Sequence, residues 1–134
     1  MALNSFLTSW SGKLLSLLRI ISAGLMMQHG GQKVLGFPAP SKMEFVLFSQ
    51  IGVAGVLELV GGFLLLIGLF TRPVAFLLSG LMAVAYFIGH ASGGFWPMLN
   101  GGELAVLYCF VYLYLAAAGG GDWSADRLLS KKRG

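Results

Sequence analysis

Three charged side chains interrupt otherwise apolar stretches of this chain: Arg19, Glu58 and Glu103. A charge left alone at the centre of a bilayer costs roughly 2.5–3.5 kcal/mol on insertion scales. Three of them would cost on the order of 8–10 kcal/mol, as much as the stability of a whole domain. They must therefore face one another, or a wet or ligand-filled interior. Two histidines, His29 and His90, lie in the same kind of surroundings. Carboxylates and histidines can take up and release protons, so the chemistry open to the set is proton exchange and the holding of a polar headgroup.

The spacing of these residues places them on helix faces. Arg19, Ser22, Met26, His29 and Lys33 recur at helical intervals and trace one face, which is expected to look inward. Leu14, Leu15, Leu18, Ile21 and Leu25 then fall toward lipid or neighbouring helices. Ala54, Glu58 and Gly62 are spaced by four, with Gly55 and Gly61 beside them, so another helix backbone can come close to the carboxylate. Ser79, Met82, Tyr86 and His90 form a weakly polar third face, and Tyr108 and Tyr112 stand four apart after Glu103. Arg19 is expected to snorkel to the interface or to reach toward Glu58. A plainer reading stands beside the functional one for each residue. Arg19 is then a structural ion-pair residue, Glu58 a protonated carboxyl between helices, and Glu103 a favourable charge in a first turn. Taken singly, the histidines are then interfacial hydrogen-bonding groups.

Four hydrophobic spans carry these faces, at about 13–30, 50–70, 73–91 and 101–118, each suited to a bilayer core of roughly 30 Å. Turn residues separate them: Gly36, Pro38 and Pro40; Thr71-Arg72-Pro73; Ser92-Gly93-Gly94 and Asn100-Gly101-Gly102; and Gly119 to Gly121 after the last. Leu3, Phe6, Leu7 and Trp10 predict a short interfacial helix leading into the first span, and Trp123, Leu128 and Leu129 one at the other end. The expected fold is all-α, a single domain over residues 1–134. It is an integral membrane four-helix bundle with short interfacial terminal segments.

Composition agrees. The chain is 57% hydrophobic with a mean hydropathy of +0.81, and only 10% of its residues are charged, against roughly 25% in soluble domains. The net charge of +4 does not indicate nucleic acid, because much of it sits in one terminal cluster of Arg127, Lys131, Lys132 and Arg133. Such a cluster after an apolar span is a topology signal and a grip on anionic lipid. Lys13, Arg72 and that cluster fall on one side of a four-span chain, with Lys33 and Lys42 on the other, which predicts cytoplasmic termini. No small-x-small cleavage site follows the first span, so a removable signal is not expected. Cys109 stands alone, which excludes an intramolecular disulfide and a CxxC relay.

Two histidines are the minimum for bis-histidine haem ligation, and nothing else supports it. A metal site from His29, His90 and Glu103 lacks helical HxxxH or ExxH spacing, so no metal is expected. No phosphate loop or serine triad is indicated.

Four segments in order give the chain a likeness. They are Leu17-Leu18-Arg19-Ile20 to His29-Gly30-Gly31-Gln32-Lys33; Glu58-Leu59-Val60-Gly61-Gly62 through Gly68-Leu69-Phe70-Thr71-Arg72-Pro73; His90 with Gly94-Phe95-Trp96-Pro97; and Asn100-Gly101-Gly102-Glu103-Leu104. Together they resemble the DoxX family of small bacterial membrane proteins. The resemblance implies a four-helix protein of the bacterial inner membrane. Its relatives are linked to thiosulfate:quinone oxidoreduction, redox-stress complexes and resistance to quinones or aromatic compounds.

The leading expectation is a quinone-associated subunit, in which Arg19, His29, Glu58, His90 and Glu103 bind the headgroup or exchange its protons. No flavin, haem or iron–sulfur motif is recognisable. No cofactor is therefore expected within the chain, with quinone as ligand and electrons from a redox partner protein. Whether the chain is an enzyme is open; if so, it is an accessory oxidoreductase subunit. Membrane lipid is the expected surrounding. Gly52, Gly55 and Ala116 to Ala118 permit a homo-oligomer. The alternative is a non-catalytic scaffold or small-solute exporter.

Overall fold

A computed structural model describes residues 2–132; Arg133 of the basic cluster lies outside the described residues. The architecture is all-helical. Helix α1 spans Ala2–Leu35, α2 Gln50–Ile67 and α3 Thr71–Ala85. The third helix continues through a wide π turn, Tyr86–His90, and a 3-10 turn, Ala91–Gly93. Then follow a single-turn α4 at Pro97–Asn100, α5 at Glu103–Ala118 and a short α6 at Ala125–Lys131. Helix α1 packs along α2, α3 along α5, and α2 touches α3.

Two of these helices are long and apolar enough to cross a membrane, Gln50–Ile67 and the continuous 71–93 segment. Helix α5 is as apolar but has 16 residues. Helix α1 differs from the expected first span in two ways. It begins at Ala2 with no break before Lys13, because nothing between Trp10 and Leu14 stops a helix. At 34 residues it rises about 50 Å, well beyond a bilayer core of roughly 30 Å. Arg19, Gln28, His29, Gln32 and Lys33 also dilute its apolar character. Of the expected outward positions, Leu14, Leu18, Ile21 and Leu25 are exposed, while Leu15 is partly buried against the core.

The core lies between α1, α2, α3 and α5. Ala23, Met26, Leu65, Leu78, Leu115 and Tyr112 are buried there. Small residues set the approach of α1 to α2. A Cβ at Gly30 would sit 2.5 Å from the Leu59 amide nitrogen and 2.7 Å from the Gly55 carbonyl oxygen. A Cβ at Gly62 would sit 2.7 Å from Met27 Cγ. Gly52 and Gly55, sequence candidates for a contact between copies, are both spent on packing within the chain. A Cβ at Gly52 would strike the Val46 carbonyl, and one at Gly55 would meet Lys33.

Candidate functional site

The charged residues do not gather at one point. Glu58, 3% exposed, takes Lys33 as its partner: Nζ donates to Oε1 at 2.6 Å and to Oε2 at 2.7 Å. Gly55 makes this possible. Its missing side chain lets the Lys33 stem cross α2 one turn before Glu58, with Lys33 Cβ only 2.8 Å from where a Gly55 Cβ would lie. The stripe on α1 supplied Lys33, but the sequence placed it at the far interface and offered Arg19 as the partner instead.

Arg19 is fully buried and is occupied elsewhere. Its Nη1 donates to the Leu65 and Leu66 carbonyls at 2.5 and 2.6 Å, its Nε to the Gly120 carbonyl at 2.9 Å, and its Nη2 to the Trp123 carbonyl. Leu65 and Leu66 lie in the last turn of α2, where carbonyls lack their i+4 amide partners; the Leu65 carbonyl also accepts from the Gly68 amide at 3.0 Å. Arg19 thus caps α2 and ties it to the segment after α5. Gly68 closes the same end with a left-handed φ of 71°. A side chain there would also meet Arg19 Cζ at 2.9 Å. The expected reach of Arg19 toward Glu58 is therefore corrected. Leu65 lies seven residues beyond Glu58, about 10 Å along the helix, and carbonyls claim the guanidinium first.

Two tyrosines of α5 face α1. Tyr112, fully buried, donates its hydroxyl to the Ser22 carbonyl at 2.9 Å. Its ring stacks on Tyr108 with centroids 5.7 Å apart, and the edge of His29 faces Tyr108 at 6.4 Å. Helix α1 thus carries His29, which faces Tyr108 of α5, one turn before Lys33, which holds Glu58 of α2. The i, i+4 spacing of the tyrosines was the available signal for their common face; their place against His29 was not visible.

His90 and Glu103 stand elsewhere. His90 Nδ1 lies 3.2 Å from the Asn100 carbonyl oxygen. Asn100 also donates to the Gly94 carbonyl at 2.7 Å and accepts from the Gly102 amide at 2.8 Å. This network closes the loop between the third helix and α5. Glu103 is exposed in the first turn of α5, beside an apolar cleft that includes Pro97, Leu107 and Phe110. Among the described residues, no three of His, Cys, Asp and Glu gather closely enough to hold a metal ion.

The sequence pattern of DoxX matches residues 14–91, the stretch that carries Arg19, Lys33, Glu58 and the turn into α3. The chain belongs to the DoxX family. An uncharacterized protein of Haemophilus influenzae is 44% identical to this DoxX chain over 123 residues, covering 88% of this chain and 92% of its own length. A second uncharacterized Haemophilus influenzae protein is 38% identical over 74 residues, 55% of this chain and 49% of its own. The uncharacterized membrane protein Rv3486 of Mycobacterium tuberculosis is 28% identical over 134 residues, covering 86% of this chain and 80% of its own. No solved structure matches this DoxX chain. Family membership and the apolar helices together give the protein its membrane character.

Proposed function

We propose that this DoxX protein is a quinone-associated subunit of a redox assembly in the bacterial inner membrane. In this reading the chain is one domain, a bundle of α1, α2, the 71–93 helix and α5, with both termini cytoplasmic. The observation that carries it is the Lys33–Glu58 pair one turn along α1 from His29, whose ring faces the stacked Tyr108 and Tyr112, a polar stretch among helices whose outer faces are apolar. A quinone headgroup suits such a stretch. Lys33 and the Tyr108 hydroxyl would donate to its carbonyls, and stacked rings would lie against its flat face. Reduction of a quinone takes two electrons and two protons. A redox partner protein would supply the electrons, and Glu58 with His29 would relay protons. His90, Glu103 and Arg19 serve this reading as supports of the bundle rather than as headgroup contacts.

The test is purification in mild detergent followed by extraction and mass spectrometry. Quinone near stoichiometric with the wild-type protein, and strongly depleted in Glu58→Gln, is the expected result. A folded wild-type protein carrying no quinone, with quinone-linked activity intact in Glu58→Gln, would overturn the reading.

A second reading, a non-catalytic scaffold or small-solute exporter, draws support from Arg19. That buried charge is fully engaged by main-chain carbonyls, as a structural residue would be. Under the scaffold version, Lys33→Met with Glu58→Leu keeps both fold and function. For the exporter, reconstituted protein shows solute flux.

A further inference from the structure

The opposite end of α2 from the Lys33–Glu58 pair adjoins a second polar cleft, of about 680 Å³, where the start of α3 meets the Gly119–Gly121 loop and α6. Thr71 lines it. This residue is fully buried, and its Oγ1 has no hydrogen-bond partner among the described residues. A buried hydroxyl left so is costly, and a ligand oxygen in the cleft would satisfy it. The space beside it depends on Gly120, where a Cβ would stand 2.9 Å from Thr71 Oγ1.

Arg72 lines the same cleft. Its Nη1 donates to the Ala116 and Ala117 carbonyls that end α5. Its Nε and Nη2 make no hydrogen bond among the described residues, and they lie 3.7 and 3.5 Å from where a Gly119 Cβ would be. Those two nitrogens form one edge of the guanidinium, the geometry that holds two oxygens of a carboxylate or phosphate in parallel.

The acidic groups on the cleft are already engaged. Asp122 pairs with Arg127. Asp126 accepts from the Phe70 and Thr71 amides, each at 2.8 Å. Lys131 follows at the end of α6. Phe70 on its rim is 62% exposed, and Trp123 and Leu128, chain neighbours of the lining residues Asp122, Ser124 and Arg127, are 51% and 64% exposed. A free anion has no use for that surround, whereas acyl chains do.

We propose that this cleft binds the phosphate of an anionic phospholipid. The Nε–Nη2 edge of Arg72 takes two phosphate oxygens, the Thr71 hydroxyl donates to one of them, and the acyl chains lie along Phe70, Trp123 and Leu128. The site stands apart from the quinone reading and does not depend on it.

The experiment is thermal unfolding of the full chain in uncharged detergent with added phosphatidylglycerol, phosphatidylcholine or inorganic phosphate. Phosphatidylglycerol is expected to raise the wild-type Tm by roughly 5 °C, with little effect of the other two. Thr71→Val keeps the shape and removes the hydroxyl. It is expected to match or exceed the wild type without lipid and to lose more than half of the lipid shift. Arg72→Lys keeps the charge without the two-nitrogen edge and is expected to lose a similar share. An undiminished phosphatidylglycerol shift in both variants would overturn the site. An equal shift with inorganic phosphate would overturn the lipid as its source, and an equal shift with phosphatidylcholine would overturn its requirement for an anionic lipid.

Discussion

Lys33 on α1 holds the Glu58 carboxylate of α2 through both oxygens, at 2.6 and 2.7 Å. The carboxylate side chain is 4% exposed and the lysine side chain 29%. The pair is therefore half-open on the cation side and closed on the anion side. Removing one partner should cost more than removing both, because the survivor keeps its desolvation penalty.

Glu58→Gln is expected to lower stability by about 1–3 kcal/mol, and Lys33→Met by a similar amount. The double change Lys33→Met, Glu58→Leu should recover most of that loss. A double-mutant cycle in denaturant, run in detergent, measures it. Additive single effects would mean the pair contributes nothing as a pair.

Gly55 and Gly80 give opposite expectations for the same substitution. Gly55→Ala puts a methyl group 2.8 Å from Lys33 Cβ and 3.0 Å from Val34 Cγ2, so α1 must move off α2, at a cost of about 1–3 kcal/mol. Gly80 sits inside α3 with nothing within 4 Å of an added Cβ. Gly80→Ala should stabilise by roughly 0.5–1 kcal/mol, the helix preference alone. Unfolding midpoints of the two variants, measured side by side, check the contrast.

Arg19→Lys is expected to be far from conservative. One ammonium cannot serve carbonyls of Leu65, Leu66, Gly120 and Trp123 spread around a planar fork. Buried acceptors left open cost about 1–3 kcal/mol each in the worst case, so a loss of roughly 2–4 kcal/mol is expected. Hydrogen exchange should show the end of α2 and the segment after α5 opening together.

Asp126→Asn removes the carboxylate that accepts from the Phe70 and Thr71 amides at the start of α3. A loss of about 1–2 kcal/mol is expected, as for other helix caps. Limited proteolysis should then cut near α6 sooner than in the wild type. Equal cleavage rates would mean that α6 is held by its other contacts.

Much of the helical layout was legible in the sequence. The break at Asn100 to Gly102 follows from turn chemistry that operates over a few residues, whereas the turn expected at Thr71-Arg72-Pro73 falls three residues earlier, at Gly68 to Phe70, and Thr71 to Pro73 form the first turn of α3 because Gly68 takes the left-handed cap. The outward face of Leu14, Leu18, Ile21 and Leu25 follows from the helical period. The inward face was legible as far as Arg19, Ser22 and Met26, all buried. It was less so at His29, which is exposed although its ring edge meets Tyr108.

What sequence alone determined was the membrane character, the helical elements and the residues too polar to face lipid, because these depend on composition and on spacing within one helix. Only the tertiary structure decided which of those residues meet. Partner choice depends on the axial offset between helices, and that offset is set by contacts such as Gly30 on Leu59 and Lys33 across Gly55. Those contacts bring Glu58 level with Lys33 and leave Arg19 beside the end of α2, where last-turn carbonyls outcompete a carboxylate about 10 Å away.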